Sequence, residues 1–157
     1  MSAVTSERPL SDKEREEIAV AFEFAVRDLN VDVNEAPSVL QQKIDDYLVE
    51  YDETREVQDP NLVSHTAIAL GAFWGNQICR EFGWEWIVAK HGSWEGIGIT
   101  DQARRFLALP LQYFESLILV APEKANLPSL QLYNAIKGGN MPAATPNQYV
   151  LVAHGES

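Results

Sequence analysis

GWEWIVAKHGSWEGIGIT, residues 83–100, is the stretch that decides the fold we predict for this chain. From Trp84 onward the hydrophobic pattern has a period of two, in which Trp84, Trp86 and Val88 alternate with the residues between them. This period is typical of a β-strand. Residues 91–93 have turn composition, and a weaker strand pattern follows over about residues 94–100. The stretch therefore predicts a hairpin.

A long helix is predicted immediately before this hairpin. Asp59 and Pro60 form a helix start signal, and Gly83 is a residue type on which helices often end. On a helical wheel, Gly71 and Gly75 lie one turn apart on the apolar side. Because each glycine lowers helix propensity by about 1 kcal/mol relative to alanine, we expect another element to pack closely against this backbone. We predict that this is the central helix of the core.

The N-terminal part is predicted to be helical and acidic. Residues 1–10 have the composition of a loose leader, and Ser11 with Glu14 then forms a capping box that opens a helix. A second amphipathic helix is predicted over about residues 38–56, with Leu40 and Ile44 on its inner face. We call this predicted element the acidic helix.

The C-terminal part is predicted to add a strand, two helices and an edge strand. Residues 105–109 form the strand candidate, and Pro110 opens the first helix. A short helix is predicted near residues 130–136, and residues 148–153 are a candidate edge strand.

Helices followed by a small antiparallel sheet with a packed helix make an α+β fold, which we predict for a single domain. Its predicted parts are a loose leader (1–10), an acidic helical part (11–59), a core α+β part (60–137) and a loop and tail (138–157).

Negative charge is concentrated at one end of the sequence. Residues 1–60 hold 16 acidic and 6 basic residues, a net charge of −10, whereas the remainder carries −1. Such a field disfavours nucleic acid and anionic membranes and attracts basic proteins. We therefore predict a non-enzymatic protein-binding module, in a concrete version an immunity- or antitoxin-type inhibitor of a basic toxin. The predicted partner-binding residues form the polar face of the acidic helix: Asp45, Asp46, Glu50, Asp52, Glu53 and Glu56. The alternative is that this face only aids solubility.

Composition narrows the class of protein further. The single cysteine, Cys79, excludes an intrachain disulfide and a cysteine-ligated structural zinc site. No apolar run reaches the roughly 20 residues of a membrane span, and the polar first ten residues do not resemble a secretory signal. These observations favour a cytoplasmic protein.

Several short packing motifs surround the hairpin: Leu70-Gly71, Gly75, residues 83–88, and Phe106 with Pro110. Together they resemble a bacterial family of small domains of unknown function. Members of that family have an L-G-x-x-x-G helix, a tryptophan-containing strand, and an aromatic strand that leads through proline into a helix. The resemblance covers about residues 68–118 and implies a fold without implying any chemistry.

No residue pattern predicts a catalytic, metal or cofactor site. Cys79 falls on the apolar side of the long helix, which favours a buried structural thiol over a nucleophile activated by His65 or His91. The three histidines, the last of them His154, have no metal-binding spacing. The glycines near residue 96 lack the strand–loop–helix context of a phosphate-binding loop.

A second hypothesis, from another class, is a small-molecule-binding domain or weak enzyme with a tryptophan-lined pocket. The residues of this predicted pocket are Trp84, Trp86, His91 and Trp94. A third alternative is that the tryptophan strand forms a homodimer surface.

Overall fold

The structure is a computed structural model, and it describes residues 4, 6–32, 34–36, 39–40, 42–44, 46, 60–91, 94–119 and 129–153. In chain order the elements are β1 (Ser6–Arg8), α1 (Asp12–Leu29), α2 (Pro60–Phe82), β2 (Glu85–His91), β3 (Trp94–Thr100), β4 (Phe106–Ala108), α3 (Pro110–Leu119), α4 (Ser129–Gly138) and β5 (Val150–Ala153). Helices pack on a five-stranded sheet. The predicted α+β class is confirmed.

The N-terminal residues differ from the predicted loose leader. Ser6–Arg8 form β1, which pairs antiparallel with β2 and places Glu7 opposite Ala89. Leu10, which follows β1, is buried. A polar strand of three residues has no hydrophobic alternation of its own, and so only its distant partner strand identifies it.

Helix α1 begins at the capping box that the sequence predicts. The backbone N–H of Glu14 donates to Ser11 Oγ (3.2 Å), and the backbone N–H of Ser11 donates to Glu14 Oε1 (2.8 Å). The helix ends at Asn30, which has the left-handed φ of 51°. Ile18, Ala21 and Ala25 are its buried positions. The predicted start of this helix is confirmed.

The acidic helix is described only in its first part. Residues 39–40, 42–44 and 46 are helical. Leu40 and Ile44 are fully buried, which confirms the predicted inner face at these two positions. The rest of the acidic helix lies outside the described residues.

Helix α2 is the central helix of the core, as predicted, and Phe73, Trp74 and Ile78 are fully buried on it. Its two glycines lie where other elements approach the backbone. A Cβ atom at Gly71 would be 2.8 Å from the carbonyl oxygen of Pro110. One at Gly75 would be 2.5 Å from Cζ2 of Trp86. The predicted close packing is confirmed, because neither site has room for a methyl group.

The sheet has the strand order β1-β2-β3-β4-β5. The predicted hairpin is confirmed, with Glu85 opposite Thr100 and His91 opposite Trp94. The sheet is nevertheless mixed and not wholly antiparallel, because β5 runs parallel to β4. Helices α3 and α4 lie between these two strands in the chain, and such a crossover returns the chain to the same end of the sheet. The edge strand predicted within residues 148–153 is confirmed as β5.

The two faces of the sheet have different surroundings. Trp86 and Val88 face the helices, in clusters that include Ile18, Ala21 and Ala72 of α1 and α2. Ile87 and Ala89 point to the other face and cluster with Leu107, Leu109 and Tyr149. The two candidate functional regions also lie on opposite faces of the sheet. Trp84 and Trp86 pack with residues of α1 and α2 on one face, and a charged cluster lies on the other.

Candidate functional site

The solvent face of α1 carries an acidic surface with an apolar centre. Glu16, Glu17 and Glu23 are exposed, and Val20 is 62% exposed. Because residues three and four apart share one side of a helix, the three glutamates surround Val20. We call these four residues the Val20 face. None of its glutamates lies within ion-pair distance of a cation in the part of the chain that the structure describes. Arg27, one turn beyond Glu23, lies over the ring of Phe24.

Unlike the glutamates of the Val20 face, the carboxylates of the sheet and its turns are paired with cations in the described ranges. Each of those that the structure describes forms an ion pair with a lysine or an arginine: Glu7, Glu85, Glu95 and Asp101. Glu14, at the start of α1, is also paired, through two hydrogen bonds of 2.8 and 3.1 Å from Arg8. Arg8 holds the pKa of Glu14 at about 2. Among the described residues, the carboxylates of the sheet are thus paired with cations, whereas those of the Val20 face are not.

The structure describes one of the six predicted partner-binding residues in the acidic helix. Asp46 is exposed and accepts a hydrogen bond of 3.0 Å from Gln42 Nε2. The other five lie outside the described residues: Asp45, Glu50, Asp52, Glu53 and Glu56. Their role in partner binding stays a prediction.

A charged cluster on the outer face of the sheet was not predicted from the sequence. The guanidinium of Arg104 donates to Glu7 through Nε (2.8 Å) and Nη2 (3.1 Å), and it also contacts Glu85. The hydroxyl of Tyr149 donates to the same Glu7 carboxylate. Glu7 is 97 residues from Arg104 and 142 from Tyr149 in the chain. No local spacing signals a cluster with such separations.

The cluster shifts the pKa of its acidic members in opposite directions. Burial raises the pKa of Tyr149 to about 12, and its hydrogen bond to Glu7 adds to the rise. Burial also acts to raise the pKa of Glu7, but the hydrogen bonds from Arg104 and Tyr149 outweigh it, and the pKa is lowered. Near neutral pH the cluster therefore combines a charged carboxylate with a protonated phenol.

The predicted tryptophan pocket is only partly assembled. Trp84 is buried and Trp86 half-buried, and both line a groove of about 410 Å³ with residues of α1 and α2. His91 lies five residues beyond Trp86 on β2, a distance of roughly 17 Å at about 3.3 Å per residue. The structure thus brings Trp84 and Trp86 together and places His91 at the other end of the hairpin. Trp94 lies opposite His91 in the register, and its side chain is outside the described residues.

The groove contains residues that the predicted pocket lacks. Arg15 of α1 and Asn76 and Cys79 of α2 line it. The indole Nε1 of Trp86 donates to Asn76 Oδ1 at 2.7 Å. Asn76 and Cys79 are three residues apart on one predicted helix, which is a signal that could have placed them together. Arg15 belongs to a different helix, and no sequence spacing connects it with β2.

Cys79 has the properties of an unreactive thiol. It is half-buried, and burial, with the nearby charge of Glu85, raises the pKa of its thiol to about 12. His65 lies 14 residues away on the same helix, about 21 Å at 1.5 Å per residue, and packs edge-on against Phe24. The thiol is therefore protonated near neutral pH and distant from the histidines considered as its base.

A second cavity, of about 310 Å³, lies on the other side of Trp84. Trp84 stacks on Phe106 with the ring planes 7° apart. Asp101 and Arg105 form the polar wall of this cavity. The Nε of Arg105 donates to Asp101 Oδ2 at 2.9 Å. Asp101 also accepts the backbone N–H groups of Arg105 (2.8 Å) and Phe106 (3.1 Å). These polar groups satisfy one another, and they stabilise the turn between β3 and β4.

The described ranges contain neither a metal-ligand cluster nor a membrane-spanning helix. No group of three or more histidine, cysteine, aspartate or glutamate residues there is arranged to hold a metal ion. No helix among those residues is both long enough and apolar enough to cross a membrane.

Comparison with known proteins adds no relative. No protein-family model matches the chain, and no curated protein or solved structure matches it either. The family resemblance over residues 68–118 stays a prediction.

Proposed function

We propose that this chain is a protein-binding module that docks a basic partner through the Val20 face of α1 and the neighbouring acidic helix. The observation that carries the proposal is the difference between two groups of carboxylates. Those of the sheet are paired with cations of the chain, whereas Glu16, Glu17 and Glu23 are exposed without a described partner cation.

Uncompensated surface charge suits association with a partner of opposite sign. It accelerates the encounter and fixes the orientation of the two proteins, and salt weakens both effects. A cation from a partner could pair with any of these three glutamates without breaking an existing ion pair among the described residues. Pairing with Glu7 or Glu85 would first have to displace Arg104.

The exposed side chain of Val20 favours a docking surface over a surface that only aids solubility. Protein interfaces commonly combine an apolar centre with a polar rim, and residues near the centre contribute most of the binding energy. Val20 is the most exposed large hydrophobic residue among those described, and carboxylates lie one turn before and after it. A surface selected only for solubility has no need of an apolar side chain at that position.

The partner that fits this surface is a protein with a basic, partly apolar site. A concrete version is a nuclease-like toxin, whose cationic active site this chain would cover as an immunity- or antitoxin-type inhibitor. The proposal involves no catalysis by this chain, no cofactor and no nucleic acid.

The test begins with capture of partners from the native host lysate at low salt and their identification by mass spectrometry. Binding of the purified partner is then measured by calorimetry for the wild type and for the E16Q/E17Q/E23Q variant. We expect the variant to bind about tenfold more weakly at low salt, and the difference to shrink at high salt.

Two control variants separate the effect of the charges from the effect of the apolar side chain. The E16D/E17D/E23D variant keeps all three charges and should bind nearly as the wild type does. Val20→Ser keeps every charge and should weaken binding at both salt concentrations. The proposal fails if the captured partner is not basic, or if the glutamine variant binds as tightly as the wild type at low salt.

A further inference from the structure

The groove beside Trp84 and Trp86 is large enough for a small-molecule ligand. It lies where α1, α2 and β2 meet, on the helical side of the sheet, and has a volume of about 410 Å³. This volume is within the range of about 300–1,000 Å³ that small-molecule sites occupy. It is separate from the Val20 face, because Glu16, Glu17, Val20 and Glu23 do not line it.

The walls of the groove are mainly apolar and aromatic. Leu10, Ile18 and Ala19 form the α1 side, and the two indole rings form the β2 side. Trp86 is held in position because its Nε1 donates to Asn76 (2.7 Å) and because Gly75 leaves room for its ring. A rigid aromatic wall of this kind suits a flat apolar group.

The polar groups of the groove that remain for a ligand are hydrogen-bond donors. The carbonyl oxygen of Asn76 already accepts from Trp86, and so its amide N–H groups remain. Arg15 is exposed and forms no ion pair within the described residues. Glu85 also lines the groove, and its carboxylate forms an ion pair with Arg104. The Cys79 thiol is neutral.

We propose that this groove binds a small carboxylate with a flat apolar body, of the arylacetate type. The carboxylate accepts hydrogen bonds from the guanidinium of Arg15 and the amide of Asn76, and the ring lies against Trp84 and Trp86. Charge complementarity selects the anion, because Arg15 is the cation that lines the groove and has no described acidic partner. This site goes beyond protein docking and does not depend on it.

The experiment uses the full chain and three probes in calorimetry: phenylacetate, hydrocinnamate and indole-3-acetate, each at up to millimolar concentration. The neutral amide of the best probe serves as the matched ligand control. We expect at least one carboxylate to bind and its amide to bind about tenfold more weakly, since a hydrogen bond to a charged group contributes more than a neutral one.

Variants locate the site. Arg15→Gln should weaken binding of the carboxylate about tenfold and leave binding of the amide nearly unchanged. Lys13→Gln is the matched control, since Lys13 is an exposed cation of the same helix outside the groove, and it should bind as the wild type does. Ala19→Trp should block both ligands by filling the groove from its exposed side. The proposal is overturned if none of the three carboxylates binds, if the amide binds equally well, or if Lys13→Gln weakens binding as much as Arg15→Gln does.

Discussion

The indole ring of Trp86 occupies the space that a side chain at Gly75 would need. A Cβ atom at position 75 would be 2.5 Å from Cζ2 of the ring and 2.6 Å from Cη2. The next residue of the helix, Asn76, accepts a hydrogen bond from the same ring. One turn of α2 therefore fixes the position of Trp86 by both shape and hydrogen bonding.

Gly75→Ala should destabilise the protein although alanine is the better helix former. The propensity gain of about 1 kcal/mol is outweighed by overpacking against Trp86, which costs about 1–3 kcal/mol. We therefore expect a net loss of up to about 2 kcal/mol in the free energy of unfolding, measured with urea. The double variant G75A/W86F tests the cause, because phenylalanine lacks the two clashing atoms. Its loss should be smaller than the sum of the single losses, and a stabilised Gly75→Ala protein would contradict the prediction.

The Asp101→Ala variant should unfold more easily than the wild type. In the variant, the turn between β3 and β4 loses the carboxylate that accepts its backbone N–H groups. Asp101 is 5% exposed and accepts the backbone N–H groups of Arg105 and Phe106. We expect a loss of about 2–4 kcal/mol in thermal or urea unfolding. Asp101→Asn keeps an acceptor oxygen and should lose less. Gln102→Ala, at the exposed neighbouring position, should change stability by no more than about 0.5 kcal/mol.

Ionisation of Tyr149 should lower the stability of the folded protein at alkaline pH. The ordinary pKa of a tyrosine hydroxyl is 10.0, and burial raises the pKa of Tyr149 to about 12 in the folded state. The folded state therefore holds the proton more tightly, and the resulting stabilisation is complete below pH 10 and lost as the pH rises toward 12. Unfolding measured at several pH values in this window should show a steeper decline for the wild type than for Tyr149→Phe. Parallel declines would contradict the assignment.

Cys79 should react slowly with thiol reagents in the native protein. With a thiol pKa of about 12, its thiolate fraction near pH 8 is small, and we expect modification by a disulfide reagent at least about 100-fold slower than in the urea-unfolded chain. Glu85→Gln removes one of the two causes of the raised pKa and should speed the reaction modestly. Equal rates in the native and unfolded states would show that the thiol is not protected.

Local signals in the sequence were sufficient for much of the fold. The capping box of Ser11 and Glu14, the hairpin over residues 83–100 and the close packing at Gly75 all depend on residues that are near one another or on a residue type with one strong steric property. Helix α2 is predicted from the start signal at Asp59 and Pro60, the helix-ending residue Gly83 and the apolar side of its helical wheel.

Features that depend on distant parts of the chain were not predictable in the same way. Strand β1 is recognisable only through β2, about 80 residues later, and the parallel direction of β5 follows from the path of the helices before it. The predicted pocket joins His91 to Trp84, which lies seven residues before it on the same strand pattern. In an extended strand, residues seven positions apart lie at opposite ends of the sheet. The rise per residue of a strand would therefore have been enough to place His91 apart from Trp84.

The Arg104 cluster has a consequence for the order in which the sheet is assembled. The β2–β3 hairpin closes a short loop, whereas Glu7 meets Tyr149 only across 142 residues. Closing a long loop costs more chain entropy, and contacts of high sequence separation form late in folding. We therefore expect the two edge strands and the turn that carries Arg104 to form late and together, because the hydrogen bonds of the Glu7 carboxylate connect both edges of the sheet.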